Sequence, residues 1–173
     1  RWRIEHAQIV NEDDIKLFNQ KILPSVQPTH ATSDMYWLYD RIGKKRATYA
    51  YAYKELLNRS QVIAFGTDFP VEDINPIMTY YSAVARKDKN GYPDDGFQME
   101  NSISRGDALS AMTIHGAYVN FEEEEKGSIE VGKSADFILL DNDIIRSSEI
   151  RIPSTKVVAT FVSGELVFNR RYN

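Results

Sequence analysis

The chain has 173 residues, of which 42% are hydrophobic and 27% are charged, with a formal net charge of -4. This composition predicts a soluble globular protein and excludes a disordered chain. No nucleic-acid partner is expected, because the basic runs at residues 44–46 and 170–171 are short and lie in an acidic chain. The sequence has no cysteine, which excludes disulfides, cysteine-rich zinc sites and thiol nucleophiles.

The ends of the chain carry no sign of membrane insertion or targeting. No apolar run reaches the ~18 residues that a membrane-spanning helix needs, so no membrane partner is expected. No targeting segment is visible, and a cytoplasmic location is favoured. Residues 1–6 have the pattern of an internal strand without an initiator methionine. We therefore expect a longer protein, whose remaining amino-terminal half is a partner of this chain.

Up to about residue 118, short apolar runs alternate with helical patterns, which predicts βα units and a parallel sheet. The first strand and its exit are predicted at residues 4–10, the second strand at residues 23–27 and the clearest one at residues 61–66. Asn11 is a predicted helix cap, with apolar residues at helical spacing after it as far as Ile22. Further helices are predicted at residues 35–42, 47–57, 76–86 and 104–117.

After Gly127 the helical periodicity gives way to alternation. Strands are predicted at residues 134–140, 157–162 and 165–168, the last two joined as a hairpin about Ser163-Gly164. A domain boundary is therefore predicted between residues 1–127 and 128–173. The second segment is small for independent stability, and we expect it to complete a sheet begun elsewhere. A separate binding module is the weaker alternative, because its strands would have exposed edges.

Three residues that can bind a metal follow predicted strands at their carboxyl ends, where βα proteins place their chemistry. They are His6, His30 and Asp68. Neutral imidazole binds zinc and similar ions, and a carboxylate beside such an ion can bind it and accept a proton from water. From spacing alone, packed or surface histidines remain the alternative.

Other polar residues near these motifs have both a functional and a structural interpretation. Glu5 and Gln8 flank the first histidine, but polar groups at strand ends also satisfy neighbouring backbone, which is favoured. His115 lies within a predicted helix and is interpreted as a packed residue. Arg46 and Arg86 suit either a substrate carboxylate or a helix surface.

Four motifs together resemble the amidohydrolase superfamily, specifically amidohydrolase family 3, the YtcJ-like metal-dependent hydrolases. They are ordered along nearly the whole chain at compatible spacing. Residues 158–165 are in addition similar to the closing β segment of that family. The motifs are Arg-Ile-Glu-His-Ala-Gln at residues 3–8, Ser-Val-Gln-Pro-Thr-His at 25–30, Gly-Thr-Asp-Phe-Pro-Val at 66–71 and Gly-Lys-Ser-Ala-Asp-Phe at 132–137.

The resemblance implies an α/β fold: a distorted TIM-like (β/α)8 barrel beside a small composite β-sandwich. Residues 1–127 would be the carboxyl-terminal half of the barrel, strands five to eight, and residues 128–173 part of the sandwich. His6 would be the metal-binding histidine after strand five, His30 the one after strand six, and Asp68 the acid after strand eight. The paired histidines after strand one and the bridging side chain after strand four match nothing in this sequence.

The activity that the resemblance implies is metal-dependent hydrolysis of a C–N bond in a small-molecule substrate, of amide, cyclic amide or carbamate type. The cofactor would be a divalent metal, with zinc favoured and one or two ions present, and Asp68 would be the catalytic proton shuttle. The substrate-binding residues are unassigned, and a homo-oligomer is left open. The alternative is a catalytically silent barrel with a binding or regulatory role, since fold alone does not determine function.

Overall fold

The computed structural model describes residues 1–171, so the predicted domain at residues 128–173 is described as far as Arg171. This part of the chain contains six strands and seven α-helices. The strands are β1 (Trp2–Glu5), β2 (Ile22–Val26), β3 (Ala64–Phe65), β4 (Phe137–Leu140), β5 (Val157–Val162) and β6 (Glu165–Asn169). The helices are α1 (Glu12–Ile15), α2 (Pro28–Asp34), α3 (Leu38–Ala47), α4 (Tyr53–Ser60), α5 (Pro76–Ala85), α6 (Arg105–Met112) and α7 (Ile114–Val119).

The first three strands form a parallel sheet in the order β1-β2-β3. Glu5 pairs with Ser25 and Val26 pairs with Phe65, so the carboxyl ends of the strands lie side by side. The parallel sheet was predicted, but β1 ends earlier than expected because His6 has a φ of 66°, outside the extended region. All four residues of β1 are exposed.

The resemblance implies barrel strands five to eight, and within residues 1–171 the parallel sheet consists of the three strands β1, β2 and β3. Between β2 and β3 the chain forms α2, α3 and α4, and β3 pairs directly with β2. Ala50 instead makes an isolated antiparallel bridge with Ile9, and the amide of Tyr51 donates to the carbonyl of Gln8 at 2.6 Å. Tyr51 has a φ of 52°, which interrupts any extended run.

The predicted helix after Asn11 is shorter in the structure than expected. Asn11 caps α1 as expected, accepting from the amides of Asp13 and Asp14 at 2.9 Å. The helix nevertheless ends at Ile15, and the extension to Ile22 is wrong because that residue begins β2. The side chain of Asn19 accepts from the amide of Lys21 at 2.8 Å, a local turn that replaces the helical bonds.

The helices after β3 follow the predictions more closely. Asn75 caps α5, and its side chain accepts from the amide of Ile77 at 3.1 Å. Ser104 caps α6 by accepting from the amide of Asp107 at 3.1 Å. The helix predicted over residues 104–117 is divided in two at Thr113, whose φ of -126° and ψ of -96° are not helical. In α3 a similar break occurs at Gly43, where φ is 73°.

One core joins the two halves of the chain. Val26 of the parallel sheet packs in a cluster with Leu56 of α4 and Tyr80 of α5, all fully buried. Ile144 and Ile152, which lie between β4 and β5, belong to the same cluster. Burial of each such side chain contributes on the order of 2 kcal/mol, so residues beyond the predicted boundary stabilise the region of the parallel sheet. Within residues 1–171, no helix is long and apolar enough to cross a membrane.

The last three strands form an antiparallel sheet in the order β4-β5-β6. The predicted hairpin is confirmed: β5 and β6 are joined by Ser163 and Gly164, which have φ values of 50° and 81° as a two-residue primed turn requires. Phe137 and Phe161 stack across β4 and β5 with ring centroids 4.5 Å apart. About half of the surface of several apolar side chains remains exposed: Ile138, Leu139, Val162, Leu166 and Val167.

Candidate metal centre

The parallel sheet brings the three predicted site residues together. His6 directly follows β1, His30 lies in the first turn of α2 just beyond β2, and Asp68 lies three residues beyond β3. One nitrogen of each ring and one carboxylate oxygen all lie within 4.8 Å of one another. Because parallel strands end at the same edge of the sheet, residues 62 positions apart in sequence reach one point in space.

The distances within the cluster suit a small cation. The Nε2 atom of His30 lies 3.2 Å from Oδ2 of Asp68, and Nδ1 of His6 lies 4.0 Å from the same oxygen. Ligands about 2.1 Å from a tetrahedral ion are roughly 3.4 Å from one another, so shifts on the order of 1 Å would close the site. Two imidazoles and one carboxylate are a donor set for zinc and similar divalent ions. The residues therefore fit a divalent metal.

The backbone at two of these residues has an uncommon conformation. His6 has a φ of 66° and Asp68 a φ of 58°, in the left-handed region that side chains other than glycine rarely adopt. The amide of His6 still donates to the carbonyl of Ser25 at 2.8 Å, and the amide of Val71 donates to Asp68 at 2.7 Å. These bonds hold both left-handed turns in place, as is common at functional sites.

Gln27 contacts both histidines and was not identified from the sequence. It is buried, and its side-chain oxygen lies 3.0 Å from Nδ1 of His6. Its backbone carbonyl accepts from the amide of His30 at 3.0 Å and from the hydroxyl of Tyr53 at 3.1 Å. The position just before the proline that opens α2 was the available signal, because that residue lies between β2 and α2 and its carbonyl accepts a bond from the first turn of the helix.

Glu72 is the second contact that sequence reasoning missed. Its Oε1 lies 3.1 Å from Nδ1 of His30 and accepts from the hydroxyl of Ser33 at 2.6 Å. His30 is therefore placed between two carboxylates, Glu72 at one ring nitrogen and Asp68 at the other. A glutamate four residues after the site aspartate was the available signal, since the turn at Asp68 brings the chain back towards α2.

The polar residues with two interpretations have structural contacts. Glu5 is exposed and pairs with Arg3 at 2.5 Å, and Arg46 is exposed and donates to the carbonyl of Ile42 at 2.8 Å. The half-buried ring of His115 lies with Nδ1 3.2 Å from the carbonyl of Ile63. Burial lowers the pKa of His115, and this residue lies outside the three-residue cluster.

Arg86 is not on a helix surface, and that interpretation is wrong. It follows α5 with a φ of 55°, which turns its side chain into the core, where it is fully buried. The guanidinium donates to the carbonyl of Phe97 at 2.9 Å and lies over the ring of Tyr53. Burial lowers the pKa of Arg86. The guanidinium thus satisfies a backbone carbonyl in the loop before α6 and holds that loop against the end of α5.

Comparison with known proteins places the chain in a family. Residues 1–168 match the profile of the amidohydrolase family. The chain is 35% identical over 170 residues to the protein LONG AFTER FAR-RED 3 of Arabidopsis thaliana, covering 97% of this chain and 29% of that protein. It is 27% identical over 169 residues to the putative amidohydrolase YtcJ of Bacillus subtilis, covering 97% of this chain and 32% of that protein.

Solved structures show the same similarity. An uncharacterized metal-dependent hydrolase from Pyrococcus horikoshii OT3 superposes with a TM-score of 0.72 at 31% identity, covering 85% of this chain and 30% of that one. The chain thus spans less than a third of the length of each of these three proteins. The match over residues 1–168 agrees with the four motifs and the α/β fold, and this chain belongs to the amidohydrolase family, within its family 3.

Proposed function

We propose that this chain is part of a metal-dependent hydrolase that cleaves a C–N bond of a small molecule, in an amide, cyclic amide or carbamate. The observation that carries the proposal is the convergence of His6, His30 and Asp68 at one edge of the parallel sheet. The names of the relatives, a putative amidohydrolase and a metal-dependent hydrolase, support the same reaction class.

We further propose that His6, His30 and Asp68 hold the ion, with zinc favoured because imidazole nitrogen and carboxylate oxygen are ligands it prefers. A divalent metal, when bound, supplies Lewis-acid activation of water and of the substrate carbonyl. His30 is the more rigid ligand, because its side chain is 7% exposed and bonded at both nitrogens. His6 is half-exposed, which leaves its side of the site open to a substrate.

Asp68 is the proposed proton shuttle. Its side chain is one-third exposed and its Oδ2 faces both histidines, so the carboxylate can contact a water that lies between them. The carboxylate accepts a proton from that water as the oxygen attacks the carbonyl carbon, and a C–O bond forms. Asp68 then donates the proton to the nitrogen as the C–N bond breaks. Atoms and charge balance with water as the only co-reactant.

The architecture around this site is also a proposal. We propose that residues 1–127 form the carboxyl-terminal half of a distorted (β/α)8 barrel and that residues 128–173 form part of a composite β-sandwich. β1 is exposed along its length, and a cavity of about 1090 Å³ beside it is lined in part by Ile4, Leu17 and Phe18, space that further barrel elements would fill. Gly127, at the proposed boundary, requires glycine, because its φ is 90° and a Cβ there would lie 2.8 Å from that of Ala117.

The experiment uses the intact protein, stripped of metal with a chelator and reconstituted with zinc. We expect hydrolysis of at least one member of a panel of amides, cyclic amides and carbamates, lost on stripping and restored by zinc. Hydrolysis that survives stripping would contradict metal dependence. A protein that binds zinc and hydrolyses no member of the panel would favour the catalytically silent barrel instead.

A further inference from the structure

Glu72 stands out among the acidic residues near the site because it contacts a proposed ligand without belonging to the cluster. Its Oε1 lies 3.1 Å from Nδ1 of His30, on the side of the ring opposite Nε2. Nε2 lies 3.2 Å from Oδ2 of Asp68 and faces the cluster. A carboxylate has no proton to give at neutral pH, so the contact with Glu72 requires hydrogen on Nδ1 of His30, and the contact with Asp68 sets the same requirement at Nε2. A metal bound at Nε2 would take the place of the hydrogen there, and Nδ1 would keep its own hydrogen for Glu72.

Two further bonds fix the position of Glu72 beside His30. Ser33, one turn after His30 in α2, donates its hydroxyl to the same Oε1 at 2.6 Å. The Glu72 amide lies 3.4 Å from the carbonyl of Asp68, within the turn that follows β3. The Glu72 side chain is 19% exposed, so the bond is partly shielded from water. One short segment thus supplies both a ligand of the cluster and the partner of another ligand.

His30 and His6 differ in exposure and in the hydrogen-bond partner of the ring. His30 is 7% exposed and has a carboxylate partner, whereas His6 is 49% exposed and its ring contacts the neutral amide of Gln27. A carboxylate bonded to an imidazole N–H fixes the orientation of the ring and raises the basicity of the other nitrogen, which strengthens its bond to a metal. A neutral amide orients a ring without adding negative charge.

We infer that Glu72 is a positioning residue that holds His30 in the tautomer and orientation required for metal binding. The inference rests on the proposed function, since it assumes that His30 is a metal ligand. It assigns to Glu72 no contact with substrate. Loss of such a partner weakens metal affinity by about 10- to 100-fold, and the same loss is expected for Glu72→Gln, whose amide lacks the charge and can present its own N–H to Nδ1.

The test measures metal binding alone, so it needs no substrate. The intact protein is stripped of metal and titrated with Zn²⁺ in competition with a chelating indicator, and Co²⁺ is then added to record the visible absorption of the bound ion. Glu72→Gln should weaken zinc affinity by about 10- to 100-fold and change the cobalt spectrum, because ligand geometry changes. Ser33→Ala removes the support of Glu72 and should weaken affinity by less, in the same direction.

Glu124→Gln is the matched control, since it removes one carboxylate from an exposed position. It should leave affinity and spectrum unchanged. Thermal unfolding of the metal-free variants separates positioning from a structural role. Wild-type affinity and cobalt spectrum in both Glu72→Gln and Ser33→Ala would overturn the inference while the proposed function stands. Wild-type protein that binds no metal would overturn both. If Glu72→Gln does not fold, Ser33→Ala alone tests the inference, and wild-type zinc affinity and cobalt spectrum in that variant would overturn it.

Discussion

The two sheets of this molecule differ in what their strand ends can do. In the parallel sheet, β1, β2 and β3 end at one edge, and the loops that follow place His6, His30 and Asp68 within 4.8 Å. In the antiparallel sheet of β4, β5 and β6, successive strands end at opposite edges. Within residues 1–171 no comparable cluster of metal-binding side chains lies on that second sheet.

Burial differs between the central strand of the parallel sheet and the outer strands of both sheets. Strand β2 contributes the fully buried Leu23 and Val26, whereas all four residues of β1 are exposed and Leu166 and Val167 of β6 are at least half exposed. The second sheet nevertheless shares a core with the first through Ile144 and Ile152. The candidate site thus lies at the ends of the parallel strands, whereas the segment between β4 and β5 contributes buried side chains to the shared core.

The largest expected effect concerns the parallel sheet. Asp68→Asn should lower turnover by roughly 10²- to 10⁴-fold, because an amide cannot accept the proton of the attacking water. The overall fold should remain, since the replacement has nearly the same shape. Steady-state kinetics of the zinc-loaded intact protein with the substrate found in the panel would measure the loss. Near wild-type turnover would remove the proposed role of Asp68.

The next effect tests the link between the sheets. Ile152→Ala should lower the free energy of unfolding by about 2–5 kcal/mol, because a fully buried side chain in the shared core is lost. Ile150→Ala, two residues earlier and 84% exposed, is the control and should change it by less than ~0.5 kcal/mol. Denaturant unfolding followed by circular dichroism would measure both. A loss of unfolding free energy for Ile152→Ala no larger than that for Ile150→Ala would show that the shared core does not contribute to stability.

The smallest effect depends on pH and concerns a histidine outside the site. Burial lowers the pKa of His115, only partly offset by the bond to the carbonyl of Ile63. As pH falls through about 6.5 the unfolded chain therefore takes up a proton that the folded protein resists, and stability falls; above that pH the residue has no effect. Metal-free protein should lose more stability than His115→Gln between about pH 8 and pH 5.5. Identical losses would contradict the burial of this ring.

Much of this arrangement could be predicted from local sequence. Asn11 caps α1 as its side chain indicated, helices begin near residues 76 and 104 as expected, and Ser163-Gly164 is the expected hairpin turn. Caps and tight turns depend on bonds between near neighbours in sequence, so the pattern contains the information needed to identify them. The strand-end positions of the three site residues follow in the same way from the alternation of strands and helices.

What could not be predicted depends on contacts distant in sequence. The burial of Arg86 arises from Tyr53 and Phe97, which lie 33 and 11 residues away. The bond between Glu72 and His30 spans 42 residues. The antiparallel bridge between Ile9 and Ala50 joins residues 41 positions apart. Periodicity in a single sequence identifies helices and strands, but it does not show which distant residues contact one another.

His6, His30 and Asp68 are proposed to hold an ion at the edge of the parallel sheet. A crystal structure of the zinc-loaded intact protein, with anomalous diffraction recorded at the zinc absorption edge, would locate that ion. We expect an anomalous peak about 2.0–2.1 Å from one ring nitrogen of His6 and from Nε2 of His30, with an oxygen of Asp68 beside it. A peak elsewhere, or histidine rings turned away from an ion at this edge, would show that these residues do not hold the metal.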